Sequence, residues 1–199
     1  DAVLPTPVRN GYAFNGWMVK ETVGSWPQNK VVASVEHGNF GDVEFVAQWT
    51  LNKYDATFYS QNTLQAGLTV EDYDVENGIT LPAMSRDHYT FIGWQPAASV
   101  GSWDQSQIYT AGDYPDAWGT VQFNAVWEVY TYTVEWKNFD GSLLEKDENV
   151  EYGTVPTYDG EVPAKTADAQ YTYTFSEWSP VITAVSGANG TSYTYTAVY

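Results

Sequence analysis

Tyr89-Thr-Phe91-Ile-Gly93-Trp94 decides how this chain is read, because its frame, Tyr-x-Phe-x-x-Trp, returns at Tyr12–Trp17 and again at Tyr173–Trp178. Each copy leads to a closing stretch of alternating apolar and polar residues: Val43–Trp49, Val121–Trp127 and Tyr193–Tyr199. Period-two alternation marks a strand with one buried face. A frame that recurs at a near-constant distance signals tandem modules, each burying its own core, in place of one large active-site fold. Trp17 and Trp94 lie 77 residues apart and Trp94 and Trp178 lie 84 apart, about the length at which a module just buries its own core.

Working outward from Trp94, residues 52–129 form the complete module. Tyr54-Asp-Ala56-Thr-Phe58 opens it as a strand, and an acidic segment, Glu71–Glu76, and the turn pair Asn77-Gly78 follow. Leu81-Pro82 and Arg86 then precede the frame. Residues 130–199 repeat the plan, with an opening strand Tyr132-Thr-Val134-Glu-Trp136, a hairpin turn at Asp140-Gly141 and Pro180 ending the central strand. Residues 1–51 match only the second part. Leu4-Pro5 and Arg9 stand as Leu81-Pro82 and Arg86 do, while the opening strand and acidic segment have no counterpart. Relative to the complete module, the first is expected to lack roughly 25 residues, its opening strand among them. The links at 50–53 and 128–131 hold no Gly/Ser-rich slack, so the modules are expected to form an elongated, semi-rigid array. Single helical turns are expected at most around Ser102–Gln107 and Asp116–Trp118.

Composition excludes several classes. Aromatic residues make up 17% of the chain, with 16 Tyr and 9 Trp, which is enough apolar surface to argue against disorder. The 25 acidic and 8 basic side chains leave a net charge of -17. That field repels phosphate backbones and anionic lipid, so nucleic acid is not an expected partner. No apolar run approaches the ~18 residues of a span, so direct membrane insertion is not expected either. There is no cysteine, hence no disulfide staple. His37 and His88 fall in different modules without a neighbouring His or Cys, and neither a phosphate-binding glycine loop nor a nucleophile elbow occurs. No metal, cofactor or catalytic residue is expected.

The series Leu81-Pro82, Arg86, Tyr89, Phe91, Gly93-Trp94, closing in Phe123, Ala125 and Trp127, resembles the Listeria–Bacteroides repeat, the internalin B-repeat family. Leu4-Pro5, Arg9, Tyr12, Phe14, Gly16-Trp17, Phe45, Ala47 and Trp49 repeat the pattern. The third copy departs from it: Glu177 stands where glycine precedes the Trp, and Tyr199 replaces the last Trp. The resemblance implies a mainly β fold of small tandem β-grasp-like modules, extracellular and held at a bacterial cell surface in stalks and adhesins. A host or bacterial surface protein, or a glycan, is the expected partner. The resemblance implies no catalytic residue.

Three functions are weighed: a non-catalytic stalk, spacer or adhesive module; a carbohydrate-binding accessory of a secreted polysaccharide-degrading enzyme; and a filament subunit completed by strand donation. The first is preferred. Tyr12, Phe14, Trp17, Trp49, Tyr89, Phe91, Trp94, Trp127, Tyr173, Phe175 and Trp178 are read as core, on an inward strand face. Trp26 and Trp103 differ. Both end a Val-Gly-Ser-Trp within a polar excursion, which makes them the ligand-contact candidates, with a structural lid as the plainer reading. Glu71, Asp72, Asp74 and Glu76 carry oxygens suited to calcium, but their spacing lacks the regularity of a binding loop and a solvated acidic edge is preferred.

Overall fold

The computed structural model describes residues 1–199, the side chain of Glu21 excepted. The fold is mainly β, and one 3₁₀ turn, Ala66–Leu68, is the only helical element among the described residues. The chain divides into two compact units, Asp1–Ala83 with Gly93–Val126, and Met84–Ile92 with Trp127–Tyr199.

In the first unit, β1 (Ala2–Val3) pairs antiparallel with β4 (Ser34–Val35). Next to this pair in sequence, β2 (Tyr12–Thr22) lies between β3 (Val31–Val32) and β5 (Val43–Leu51), antiparallel to both. The frame spaces its rings two and then three residues apart, so strict alternation would turn Trp17 away from Tyr12 and Phe14. A register shift between Phe14 and Gly16 absorbs the odd residue. Trp17 thereby lands edge-on to Phe14 at 5.6 Å. Gly16 holds φ at 123°, and a Cβ there would lie 2.6 Å from a Val31 methyl, so this position of the frame demands glycine.

The larger sheet is built around β6 (Tyr54–Ser60). On one side β10 (Val121–Val129) runs parallel to it; β7 (Thr63–Leu64) and β8 (Val70–Tyr73) share the other edge, antiparallel. β9 (Tyr89–Ser99) borders β10. The register sets Phe58 opposite Phe123, whose rings stack at 5.2 Å, and Trp94 packs edge-on to Phe58 at 4.8 Å. All three rings are fully buried, each contributing on the order of 1.5–3 kcal/mol.

In the second unit the order is β12-β11-β14-β13: β11 (Thr131–Lys137), β12 (Leu143–Glu151), β13 (Glu177–Ser179) and β14 (Ser192–Val198). β11 and β14 are parallel neighbours. Tyr132, Val134 and Trp136 are buried in alternation, as the period-two pattern requires. Trp136 stacks on Tyr195 at 4.9 Å and meets Trp178 edge-on at 4.8 Å.

Two expectations are corrected. Ser102–Gln107 and Asp116–Trp118 form no helical turn. The Asp104 carboxylate accepts from the N–H and hydroxyl of Ser106, which closes an Asx turn, and the Trp118 N–H donates to Ser102 Oγ. The third central strand is also shorter than its motif. It spans only Glu177–Ser179 before Pro180, leaving Tyr173 outside, where its hydroxyl donates to Asp168 at 2.6 Å.

Candidate functional site

The polar excursion after a central Trp folds back by the same device twice. Gly101 and Gly119 cross so closely that a Cβ on Gly119 would lie 1.5 Å from the Val100 carbonyl oxygen; Gly24 and Gly41 cross likewise, at 1.7 Å from the Val23 oxygen. The crossing carries Trp103 inward. It is 4% exposed, edge-on to Phe123 and Tyr109 at 5.0 and 5.3 Å. Its indole N–H donates to Gly119 O at 3.2 Å and to the Tyr73 hydroxyl at 2.8 Å. Tyr73 in turn donates to Gly119 O, and burial pushes its hydroxyl pKa up to about 12. Trp26 takes the corresponding place over Phe45, edge-on at 5.6 Å, with its N–H on Gly41 O at 3.0 Å, yet it stays half-buried. Trp103 therefore has no open ring face to offer, while Trp26 keeps part of its ring in solvent.

The frame rings divide in the same way. Trp94 is fully buried; Tyr12, Phe14, Trp17, Trp49, Tyr89, Phe91, Trp127, Tyr173, Phe175 and Trp178 are half-buried. Phe14 pairs with Trp49 at 5.4 Å and Phe91 with Trp127 at 5.0 Å, tying the central to the closing strand. Trp178 lines an open groove with Tyr158, Pro163, Phe175 and Ile182. That groove offers mainly apolar surface, and the Tyr158 hydroxyl in it donates to Glu161 O at 2.8 Å.

The links between successive repeats are built alike, which sequence reading missed. Gly11, at φ 78°, accepts the Asn52 N–H at 2.9 Å and faces Val75 so tightly that a Cβ would lie 2.3 Å from its methyl. The Tyr12 hydroxyl beside it donates to Glu76, a bond that raises the phenol's pKa. At the next link His88, at φ 64°, accepts the Tyr130 N–H at 3.0 Å and stacks on Tyr152 at 3.6 Å and 9°. The Tyr152 N–H then donates to Tyr130 O at 2.9 Å. Two residues before each of these turns an arginine lies over the following tyrosine, Arg9 on Tyr12 at 3.6 Å and Arg86 on Tyr89 at 3.5 Å.

Among the acidic residues, Asp74 is buried and engaged. It pairs with Lys53 and accepts the N–H groups of Glu76 and Asn77 at 2.8 Å each, together with the Asn77 side-chain amide. Lys53 first, and then Asn77, hold its carboxyl well below the usual carboxylate range. Glu71, Asp72 and Glu76 are exposed. No group of three or more His, Cys, Asp or Glu among the described residues is gathered to hold a metal.

Small sheets with aromatic cores, chained by short links of repeated design, define a tandem β-repeat protein. Residues 2–37 match the Listeria-Bacteroides repeat domain. Over 160 residues, 75% of this chain and 18% of the other, it is 34% identical to a Gly-rich membrane protein of Evansella cellulosilytica. Over 103 residues, 49% of this chain and 17% of the other, it is 32% identical to internalin H of Listeria monocytogenes. The chain thus spans less than a fifth of either relative. No solved structure matches it.

Proposed function

We propose that this chain is a non-catalytic repeat region of an extracellular bacterial surface protein, a spacer of three β-grasp-like modules at 1–51, 52–129 and 130–199. The link carries this reading. Twice, a turn residue in the left-handed region accepts an N–H of the connecting segment and closes against a side chain beyond it, Gly11 on Val75 and His88 on Tyr152. A joint made of backbone hydrogen bonds and packed side chains transmits position and force; it has no part to play in turnover. The β-grasp assignment rests on the order β12-β11-β14-β13: an opening hairpin, a crossover and a parallel central pair, with irregular chain in the crossover. The similarity to internalin H and to a membrane protein supports placement at the cell surface.

Any partner is a host or bacterial surface protein or a glycan, and the charge of -17 disfavours nucleic acid. Stacking of sugars on Trp26 and Trp103 is the competing function, and the burial of Trp103 supports the spacer instead. Single-molecule pulling tests it. Each sheeted module should give its own unfolding event, with ~70 residues releasing roughly 250 Å of contour. One event for the whole chain would defeat the proposal.

A further inference from the structure

In the first two repeats the Trp of the central strand is covered by the repeat's own polar excursion. Val32 of β3 stands opposite Trp17, and Tyr109 exchanges both backbone hydrogen bonds with Trp94, at 2.8 and 2.9 Å. The indole N–H is satisfied within the repeat as well, by Pro5 O at 2.8 Å for Trp17 and by Pro82 O at 2.7 Å for Trp94. The third repeat lacks both arrangements. Its excursion covers only residues 180–191, against 23–42 and 100–120, and among the described residues no strand pairs with the outer side of β13. No acceptor among the described residues meets the Trp178 indole N–H, which is not sealed from solvent. The difference is internal to the repeat, because the segment that covers each sister Trp is an internal one.

Two depressions of about 550 and 410 Å³ result, and they meet at Phe175, Trp178 and Ile182. The rings of Tyr158 and Phe175 lie 4.9 and 5.3 Å from the indole, which makes the floor aromatic. Val155, Val162 and Val181 line the walls, each more than half exposed. The surround is acidic. Glu177 lines the groove where the sisters have Gly16 and Gly93, and Asp159 and Glu161 flank Gly160 of the lining. All three carboxylates are exposed, and no Lys or Arg lines either depression.

We infer that this groove binds an extended peptide segment of a basic partner protein, one that sets a β-branched or aromatic side chain beside Lys or Arg. The sisters show which anchor suits the place: Val31-Val32 covers Trp17 and Ile108-Tyr109 covers Trp94, with the Val31 and Ile108 methyls against the glycine that precedes each Trp. A peptide carbonyl accepts the Trp178 N–H, and the flanking cations face Glu177, Asp159 and Glu161. The charge of -17 steers a basic chain toward the site and opposes a second copy of this one. A glycan is the rival occupant. Its hydroxyls need placed polar partners, whereas these walls are Val, Pro and Ile, and the Tyr158 hydroxyl already donates to Glu161 O.

The probe is the hexapeptide Lys-Gln-Ile-Tyr-Thr-Lys, residues 107–110 of this chain set between two lysines. It is titrated into the intact ¹⁵N-labelled chain, and the Trp178 indole N–H peak, assigned from its absence in Trp178→Phe, is followed. A saturable shift of that peak and of the Glu177 amide is expected. Val162→Lys, a change at an exposed wall position that leaves the core untouched, should weaken the peptide ~threefold or more at low ionic strength, an effect that fades with salt. No saturable shift up to millimolar peptide overturns the inference. Equal binding of Glu-Gln-Ile-Tyr-Thr-Glu or of Lys-Gln-Ser-Ser-Thr-Lys overturns it too, by removing the charge or the anchor from the account. Saturable binding of cellotriose or chitotriose at the same concentrations assigns the groove to a glycan, and a shift with protein concentration alone assigns it to a second copy; either result defeats the peptide reading. The inference needs only the groove and not the spacer role, and none of these outcomes bears on the pulling experiment.

Discussion

Trp103→Ala separates a ring that holds the module together from one that grips a ligand. The indole is 4% exposed, touches Phe123 and Tyr109, and supplies the N–H that satisfies both Gly119 O and the Tyr73 hydroxyl. Truncating a buried Trp to Ala costs about 3–5 kcal/mol through lost transfer energy and the residual cavity. For a domain of 60–100 residues each kcal/mol lowers Tm by roughly 4–8 °C, so a drop on the order of 20 °C is expected. Trp103→Phe keeps most of the apolar contact and leaves the Tyr73 hydroxyl donating to Gly119 O, so the loss of the indole N–H should cost only about 0.5–1.5 kcal/mol. Trp26→Ala removes a half-exposed ring with one hydrogen bond and should cost only about 1–2 kcal/mol. Scanning calorimetry of the intact chain reads the transitions, and amide exchange assigns the shifted one to the sheet holding β6 and β10. A Trp103→Ala chain whose melting is unmoved, or one hurt less than Trp26→Ala, would refute the reasoning.

Gly119→Ala should destabilise the same sheet by at least ~2 kcal/mol in denaturant titration, since a Cβ 1.5 Å from Val100 O meets backbone and φ is 111°. His88→Ala removes the face-to-face stack on Tyr152, worth about 0.5–1.5 kcal/mol, and should speed exchange of the Tyr130 and Tyr152 amides while leaving the Trp103 region unchanged. Asp74 has a folded pKa held below its unfolded value, so the stability it provides is present at neutral pH. It is lost as pH falls from about 5 through the lowered value. Asp74→Asn should therefore be less stable at pH 7 and show a shallower acid limb in pH-dependent melting; an unchanged acid limb would contradict the Lys53–Asp74 account.

The alternation of Tyr132, Val134 and Trp136, or of Ala56 and Phe58, was legible because period two is a direct property of a half-buried strand. The frame Tyr-x-Phe-x-x-Trp identified the central strands but concealed how its rings reach one side. Spacings of two and three residues agree with one inward face only if the chain bulges, and the glycine before Trp17 marks the bulge. Where Glu177 replaces that glycine, the strand shrinks to Glu177–Ser179. The Gly101–Gly119 crossing left a weaker trace, a glycine two residues ahead of each of the first two closing strands, at Gly41 and Gly119.

The joints left no trace in residue identity, because the property they share belongs to the backbone. Gly11 and His88 have nothing in common as side chains, yet both lie in the left-handed region and both accept the N–H of the following link. Glycine reaches that conformation freely, whereas histidine enters it at a cost of order 1 kcal/mol or more that something must offset. The stack on Tyr152 supplies that compensation, and Gly11, needing none, meets only the methyls of Val75. The same turn is thus achieved once by permissiveness and once by packing. His88→Gly should on this argument lose less stability than His88→Ala, since it restores backbone freedom while removing the same ring. The reverse order in calorimetry would show that the turn is not what the two links share.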